Sequence, residues 1–334
     1  MFLEDIKFSL WCDFIERNFL LNDFQKLIDK KVVNGATSNP AIFKEAILNS
    51  PIYKDEIKKL INLSEKEIYE EIACKDISIA ASILEPLYKQ GDDGFISIEI
   101  DPRLCDDAKE SIEEGKRLYK KIDKKNVMIK VPATDAGYEV VEELLCNGIN
   151  VNITLIFSPE QAKLSLQAIK KAQQKIAKEI EFPQVVLSVF VSRFDRKMDE
   201  KLLEKNIKTS LTGIYNASKI YNMIESANVI NTRTLFASTG VKGNTLEPAY
   251  YIKELLYPNS INTAPLKTIE AFLNSDQFLP KEPLPNSLID EYFKVLENQG
   301  IEMDKIYAEL MTQGVEAFKI AFNETIKFQK HKQK

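Results

Sequence analysis

Histidine is nearly absent from this chain of 334 residues, which has one histidine, His331, in a lysine-rich C-terminal stretch. Serine–histidine and cysteine–histidine catalytic pairs, and histidine-rich zinc sites, all need a histidine held in the folded core. The sequence therefore predicts no metal site and no histidine-activated nucleophile. Any chemistry has to use lysine, carboxylates, hydroxyls and amides.

Cysteine is also scarce, and the four cysteines are scattered without a CxxC pair: Cys12, Cys74, Cys105 and Cys146. This spacing predicts reduced thiols and a cytoplasmic location. No apolar run reaches the ~18 residues that span a membrane, and the N-terminus MFLEDIKF has acids where a signal peptide has bases. The net charge is −5 with both signs intermixed, so no basic block predicts nucleic-acid binding. We therefore expect no nucleic-acid partner and no membrane partner.

Eight apolar runs of strand length alternate with segments of helical pattern along the chain. The predicted strands lie at 8–12, 32–37, 95–100, 127–131, 151–155, 185–191, 234–237 and 261–264. Eight parallel strands alternating with helices close into a barrel, which takes about 250 residues. We predict an α/β fold, a single (β/α)8 TIM-barrel domain over residues 1–334 with its strands at about 8–265. The remaining residues predict extra helices, including a C-terminal helical extension at about 286–330 laid over the barrel.

One residue interrupts the apolar run of the fourth predicted strand, in the segment NVMIKVPATDAG at 126–137. Lys130 stands among Val127, Ile129 and Val131, where a buried ammonium costs several kcal/mol unless it is paired or loses its proton. One interpretation is an edge strand with the lysine extended into water. A second is a structural ion pair with Glu99 in the barrel lumen. The third is a functional amine. The side-chain pattern of the other strands tests this interpretation.

Side-chain alternation in five of the strands favours the functional interpretation. Successive strand residues point to opposite sides, which in a barrel are the helix layer and the lumen. Each of these five strands has an unbroken apolar side for the helix layer. On the predicted strand at 151–155, this side consists of Val151, Ile153 and Leu155. The opposite sides carry polar residues toward the C-terminal strand ends, where barrel enzymes have their active sites. The converging residues are Asp13, Glu99, Lys130, Asn152, Thr154 and Ser188.

A lysine beside two carboxylates suits covalent amine catalysis. Because a lysine at its reference pKa of about 10.4 is almost fully protonated at neutral pH, we expect burial to lower the pKa of Lys130. The neutral amine would attack a carbonyl and form an iminium, an electron sink for breaking the adjacent carbon–carbon bond. One carboxylate would act as general base, and the other would move protons through a bound water.

Hydroxyl and cationic side chains follow the sixth and seventh strands, on the side where such barrels bind phosphate. Ser188, Ser192 and Arg193 come from the first of these segments, and Ser238 and Lys242 from the second. Phosphate binding uses donors of this kind. Each segment alone is equally typical of a solvated turn, but together with the lysine they predict a sugar phosphate as the substrate.

Seven segments together resemble the transaldolase family, and they most resemble its longer actinobacterial and plant-type members. They lie between residues 9 and 243 and touch the first seven of the eight predicted strands. The segments are SLWCDFIERNFL, GATSNPAIF, FISIEIDPRL, NVMIKVPATDAG, NGINVNITLIFSPEQ, VVLSVFVSRFD and LFASTGVKG. The resemblance implies a class I, Schiff-base-forming aldolase barrel that needs no metal or organic cofactor, because the iminium itself accepts the electrons.

The resemblance also implies roles for individual residues. Lys130 would form the Schiff base, and Asp13 would exchange a proton with the C4 hydroxyl of the sugar. Glu99 and Thr154 would hold a catalytic water. The implied substrate-binding residues are Asn39 and Asn152 for sugar hydroxyls, and Ser188, Arg193 and Ser238 for phosphate. At Gly240 the chain departs from the family, many members of which have arginine there, and Lys242 is the candidate to replace that charge.

The activity implied by the resemblance is a step of the pentose phosphate pathway. A dihydroxyacetone unit would pass from sedoheptulose 7-phosphate to glyceraldehyde 3-phosphate, giving erythrose 4-phosphate and fructose 6-phosphate. The nearest alternative is a fructose 6-phosphate aldolase on the same barrel, a group that has tyrosine at the position of Phe190. A non-catalytic sugar-phosphate binder is a further alternative, and the sequence leaves both a monomer and a homodimer open.

Overall fold

Eight parallel strands form a closed barrel in a computed structural model of the protein, which describes residues 2–243, 246–275 and 278–331. The strands are β1 (Ser9–Cys12), β2 (Gly35–Thr37), β3 (Ile96–Glu99), β4 (Val127–Pro132), β5 (Asn150–Ile156), β6 (Val185–Phe190), β7 (Thr232–Ala237) and β8 (Ile261–Ala264). They pair in chain order, and β8 pairs with β1 to close the ring. The predicted (β/α)8 barrel is therefore confirmed.

Helices surround the strands. The helices are α1 (Arg17–Phe19), α2 (Gln25–Asp29), α3 (Pro40–Asn49), α4 (Lys54–Lys59), α5 (Glu65–Gln90), α6 (Ala108–Ile122), α7 (Asp135–Cys146), α8 (Pro159–Lys175), α9 (Ser192–Glu204), α10 (Thr212–Ala227), α11 (Tyr250–Glu254), α12 (Leu266–Leu273), α13 (Asn286–Asn298) and α14 (Met303–His331). A π turn at Leu20–Phe24 joins α1 to α2, and short 3-10 turns lie at Pro51–Tyr53 and Pro102–Leu104. Within the described ranges, no helix has the length and apolar character needed to cross a bilayer.

The predicted C-terminal extension and the helical region after β2 are each broken into separate helices. The C-terminal extension consists of α13 and α14, and the left-handed Gly300 (φ 72°) lies between them. Glycine takes that conformation without a steric penalty, so it commonly follows the end of a helix. The region after β2 divides at Ser50, which is extended before Pro51. Proline disfavours the helical conformation in the residue that precedes it, which explains the break.

The barrel has two apolar clusters, one between strands and helices and one that fills the lumen and continues onto α9, α13 and α14. The alternation predicted for the strands holds at Ile98, Ile129 and Ile153, which pack in the outer layer. It fails at Leu155, which packs with the lumen residues instead. The pairing of β5 with β6 shifts register between Ile153 and Ile156, and Leu155 has a positive φ of 58°. A bulge of this kind turns the side chain to the other face, so the prediction for Leu155 was wrong.

The lower lumen is filled by apolar side chains from β1, β4, β7 and β8. Trp11, Met128, Leu235 and Ile261 are buried there. Gly35 on β2 lies against the Trp11 ring so closely that an added Cβ would stand 2.5 Å from a ring carbon. Only glycine fits beside the indole. Because apolar side chains fill the lumen below them, the polar residues at the C-terminal strand ends lie above a closed part of the barrel.

Charged and polar side chains close the N-terminal end of the lumen. Arg233, at the start of β7, donates to the Asp93 carboxylate at 2.7 Å. The same guanidinium donates to the Ser9 hydroxyl and to the carbonyl oxygens of Lys7, Asn259 and Ser260, at 2.9–3.2 Å. The Trp11 indole N–H donates to the other Asp93 oxygen at 2.9 Å. Both charged partners are therefore satisfied by protein atoms.

Candidate active site

Lys130 lies inside the barrel on β4, with 5% of its surface exposed. The strand register puts Glu99 on β3 and Asn152 on β5 at its two sides. Among the described residues, the Lys130 amine donates one hydrogen bond, to the Ser38 carbonyl oxygen at 3.1 Å. Because β4 is paired on both edges, the edge-strand interpretation is excluded.

Glu99 lies near the amine but is not hydrogen-bonded to it. The closest approach, from Lys130 Nζ to Glu99 Oε2, is 4.0 Å. Burial raises the pKa of Glu99 to about 8, although the Lys130 charge opposes that rise and the Asp13 charge adds to it. A buried ion pair stabilises a fold only when its geometry is close and its atoms are hydrogen-bonded. The structural ion pair therefore has weak support from this geometry.

Two side chains at the strand ends keep buried oxygens without a protein partner. Within the described chain, both carboxylate oxygens of Glu99 and the Thr154 hydroxyl make no hydrogen bond to protein. Buried polar atoms of this kind are normally satisfied by ordered water or by a ligand. The pair can therefore hold a polar molecule at the top of the lumen.

Asp13 follows the end of β1 and is held by a hydroxyl from the next strand. The Thr37 hydroxyl donates to Asp13 Oδ1 at 2.6 Å and lies 2.6 Å from the Thr263 hydroxyl on β8. Burial raises the pKa of Asp13, while Lys130 and the Thr37 hydrogen bond oppose the rise. The carboxylate is fixed in direction yet is easily protonated, which suits a group that exchanges a proton with a bound molecule.

The predicted hydroxyl-binding amides have defined partners. Asn152 donates to the Ser97 hydroxyl at 2.9 Å and accepts from the Ser188 hydroxyl at 2.6 Å. Asn39 caps α3, its side-chain oxygen accepting from the N–H groups of Ala41 and Ile42. The Asn39 amide nitrogen is the part of this side chain that remains for a ligand. Ser188 thus belongs with Asn152 in the lumen, below the other predicted phosphate residues.

The remaining predicted phosphate residues lie past the ends of β6 and β7. The hydroxyls of Ser192 and Ser238 are 3.1 Å apart. The Arg193 guanidinium packs on the Phe190 ring at 5.1 Å and the Phe157 ring at 5.9 Å. Burial, with a smaller contribution from Arg196, lowers the pKa of Arg193 to about 10. Lys242 is exposed, in the segment just before 244–245, which lies outside the described residues.

Helix α14 passes over the barrel mouth. The Phe318 ring centroid is 6.0 Å from Lys130 Nζ, and 4% of Phe318 is exposed. One turn earlier, an added Cβ on Gly314 would lie 3.0 Å from Leu155 and 3.3 Å from the Arg193 guanidinium. The helix therefore packs against both the lysine and the arginine of the site, and a side chain at position 314 would require Leu155 or Arg193 to shift.

Sequence reasoning missed several residues that the structure brings into the site. Thr37 and Thr263 direct Asp13, and Ser97 holds Asn152. Thr263 alternates with the lumen residue Ile261, so the parity used for the other strands could have found it. Phe318 gave no signal, because a phenylalanine in an amphipathic helix is ordinarily core.

The closed barrel, with a buried amine and two acids at the C-terminal strand ends, defines a (β/α)8-barrel enzyme with a lysine at its centre. Residues 10–328 match the family model described as Transaldolase/Fructose-6-phosphate aldolase. The chain belongs to this family.

Named relatives agree with the family match. A protein of Campylobacter jejuni subsp. doylei named "Transaldolase" is 52% identical over 328 residues, covering 96% of this chain and 98% of that protein. A Helicobacter pylori protein of the same name is 49% identical over 322 residues, with the same coverage of both chains. Identity near one half over almost the whole length supports transaldolase activity, that of a transferase of aldehyde or ketone groups.

Proposed function

We propose that this chain transfers a dihydroxyacetone unit from sedoheptulose 7-phosphate to glyceraldehyde 3-phosphate through a Schiff base on Lys130. The products are erythrose 4-phosphate and fructose 6-phosphate, and the step belongs to the pentose phosphate pathway. The observation that carries the proposal is a lysine amine buried at the barrel mouth, 4.0 Å from Glu99 and with one protein hydrogen bond among the described residues. An amine with so few partners has room to form a covalent bond with a carbonyl carbon.

Lys130 is the nucleophile of the proposed mechanism. Its neutral amine attacks the ketose C2 carbonyl, and water leaves to give a protonated iminium. The iminium accepts the electron pair of the C3–C4 bond when that bond breaks, so the aldose departs and an enamine stays on the lysine. No metal or organic cofactor is needed, because the iminium is itself the electron sink. The acceptor aldehyde then reacts with the enamine, and hydrolysis of the new iminium frees the product ketose.

Asp13 is the proposed base for the C4 hydroxyl proton. The Thr37 hydroxyl occupies one carboxylate oxygen and leaves the other for substrate. The raised pKa of Asp13 makes it a stronger base than an exposed aspartate. During the reverse half-reaction the same carboxyl returns the proton to the oxygen of the acceptor aldehyde.

Glu99 and Thr154 are the proposed holders of the water that serves iminium formation and hydrolysis. Their unpartnered buried oxygens support this assignment. A glutamate with a pKa of about 8 carries either protonation state near neutral pH, so it can accept and return the proton of that water.

Substrate binding is proposed for two groups of residues. Asn39, Asn152 and Ser188 bind the hydroxyls near the ketose carbonyl; the hydrogen bond from Ser188 to Asn152 favours this position for Ser188 over the predicted phosphate contact. Arg193, Ser238 and Lys242 bind the phosphate beyond β6 and β7.

We propose a cytoplasmic location and a one-domain chain, with oligomeric state left open between monomer and homodimer. The four cysteines are all free, which supports a reducing compartment.

The test is an acceptor-dependence assay with fructose 6-phosphate as donor. With erythrose 4-phosphate present, we expect sedoheptulose 7-phosphate to form, and without any acceptor we expect little free dihydroxyacetone. Rapid release of dihydroxyacetone without acceptor would instead establish the aldolase alternative, against which Phe190 argues. Binding of fructose 6-phosphate with no turnover in either assay would support the alternative of a non-catalytic sugar-phosphate binder.

A further inference from the structure

Two of the six arginines in this chain differ from the other four in their surroundings. Each of the other four, Arg17, Arg103, Arg117 and Arg233, has a carboxylate oxygen within 4.0 Å. In the described chain, no carboxylate lies that close to Arg193 or Arg196. These two are one turn apart at the start of α9, beside the barrel mouth.

The Arg196 guanidinium contacts the backbone of Ser192, one of the two serines of the site. Its Nε donates to the Ser192 carbonyl oxygen at 3.3 Å. The Ser192 hydroxyl is 3.1 Å from that of Ser238. The acid next to Arg196 in sequence, Asp195, is engaged elsewhere, accepting from Gly213 N–H at 2.9 Å and from the Tyr251 hydroxyl at 2.8 Å.

Two uncompensated cations side by side are unfavourable unless an anion joins them. The Arg196 charge contributes to lowering the pKa of Arg193, as repulsion between like charges requires. Ser192, Arg193 and Arg196 belong to the first five residues of α9, and Ser238 directly follows β7. An anion bound there would gain both guanidinium charges and the serine hydroxyls as donors.

We infer that Arg196 is the second cation of the phosphate site and works with Arg193 on the phosphate of the sugar substrates. This inference rests on the proposed function and adds one residue to its phosphate site. Position 240 does not offer an alternative, because it is a glycine and carries no charge. Lys242 is exposed on the loop beyond, so its strongly hydrated amine would act as a weaker partner than a guanidinium.

The test compares Arg196→Gln with Lys201→Gln, which removes one exposed positive charge from the same helix. Inorganic phosphate is the probe, measured as a competitive inhibitor and by calorimetry. For Arg196→Gln we expect about tenfold weaker phosphate binding and a similar rise in KM for fructose 6-phosphate, with kcat within about twofold. Lys201→Gln should match the native protein, and Arg196→Lys should recover part of the affinity because it restores the charge without the planar fork.

A substrate without phosphate provides the specificity readout. With dihydroxyacetone or fructose as donor, Arg196→Gln and the native protein should have the same KM, and unchanged thermal unfolding would show an intact fold. Equal phosphate affinity of Arg196→Gln and Lys201→Gln would overturn the inference even if transfer is active. If Arg196→Gln binds phosphate tenfold more weakly but the native protein has no transfer activity, the inference stands and the proposed function is wrong.

Discussion

The two ends of the barrel lumen hold similar charged residues in opposite ways. At the N-terminal end, Arg233 makes hydrogen bonds to Asp93, Ser9 and three carbonyl oxygens, so its donors are nearly all used. At the C-terminal end, the Lys130 amine makes one hydrogen bond to protein in the described chain. Glu99 and Thr154 there have buried oxygens that find no protein partner among the described residues.

The difference separates charges that hold the fold from charges kept for a substrate. A buried charge that is fully hydrogen-bonded contributes through its partners, which are left unsatisfied when it is removed. A buried charge with few partners contributes little to stability, and its retention indicates a use outside folding. The same substitution at the two ends should therefore have opposite consequences.

The largest effect is expected from Lys130→Met, which removes the amine and keeps the volume of the side chain. Transfer activity should fall by at least about 10⁴-fold, because the covalent intermediate cannot form. The free energy of unfolding should stay the same or rise, since a poorly paired buried cation is replaced by an apolar group. Kinetics and chemical denaturation together check this, and a clear loss of stability would mean that Lys130 is structural.

Asp13→Asn should reduce kcat by about 10³-fold, because the base for the C4 hydroxyl is lost while the side chain keeps its shape and its bond from Thr37. Formation of the Schiff base should persist, since that step uses Lys130. Borohydride trapping measures this step separately from turnover. Equal loss of trapping and transfer would remove Asp13 from the proton-transfer role.

Arg233→Met is the matched substitution at the other end of the lumen. It leaves Asp93 and several carbonyl oxygens without their partner, so the free energy of unfolding should fall by about 2–4 kcal/mol. The folded fraction should keep its kcat/KM within about threefold, because distant sites are close to additive. An active-site defect without loss of stability would contradict the division between the two ends.

The smallest effect is a pH-dependent one at Glu99. Because burial raises its pKa from 4.5 to about 8, the folded chain holds a proton that the unfolded chain releases in that window. The stability contributed by this proton is present below pH 4.5 and is lost as pH rises through 8.

Glu99→Gln cannot titrate, so its stability relative to the native protein should rise by about 2 kcal/mol or more between pH 5 and pH 9. Denaturation at several pH values measures the difference, and Glu297→Gln, at an exposed site on α13, is the control. Parallel pH profiles for the native protein and Glu99→Gln would show that the Glu99 pKa is not raised.

The parts of the fold that follow from strand periodicity could be predicted from the sequence. The period of two residues brought Glu99, Lys130 and Asn152 to one side, and the register places them in a row. The side of the strand on which Leu155 lies was mispredicted because a bulge changes the alternation of side chains. No local residue pattern predicts that bulge.

The residues that the sequence did not reveal depend on contacts between distant segments. Phe318 comes from a helix after the barrel, and its place over Lys130 follows from how α14 packs. Arg196 differs from other surface arginines only in the absence of a nearby acid in the described chain, a property that exists in three dimensions alone. The bond between Ser188 and Asn152 likewise depends on side-chain rotamers of neighbouring strands.

The most direct test of the central claim is borohydride reduction of the protein with fructose 6-phosphate, followed by peptide mass spectrometry. We expect a reduced dihydroxyacetone adduct on the peptide containing Lys130, and no adduct on any peptide of Lys130→Met. An adduct on a different lysine, or steady transfer without a trappable adduct, would contradict it.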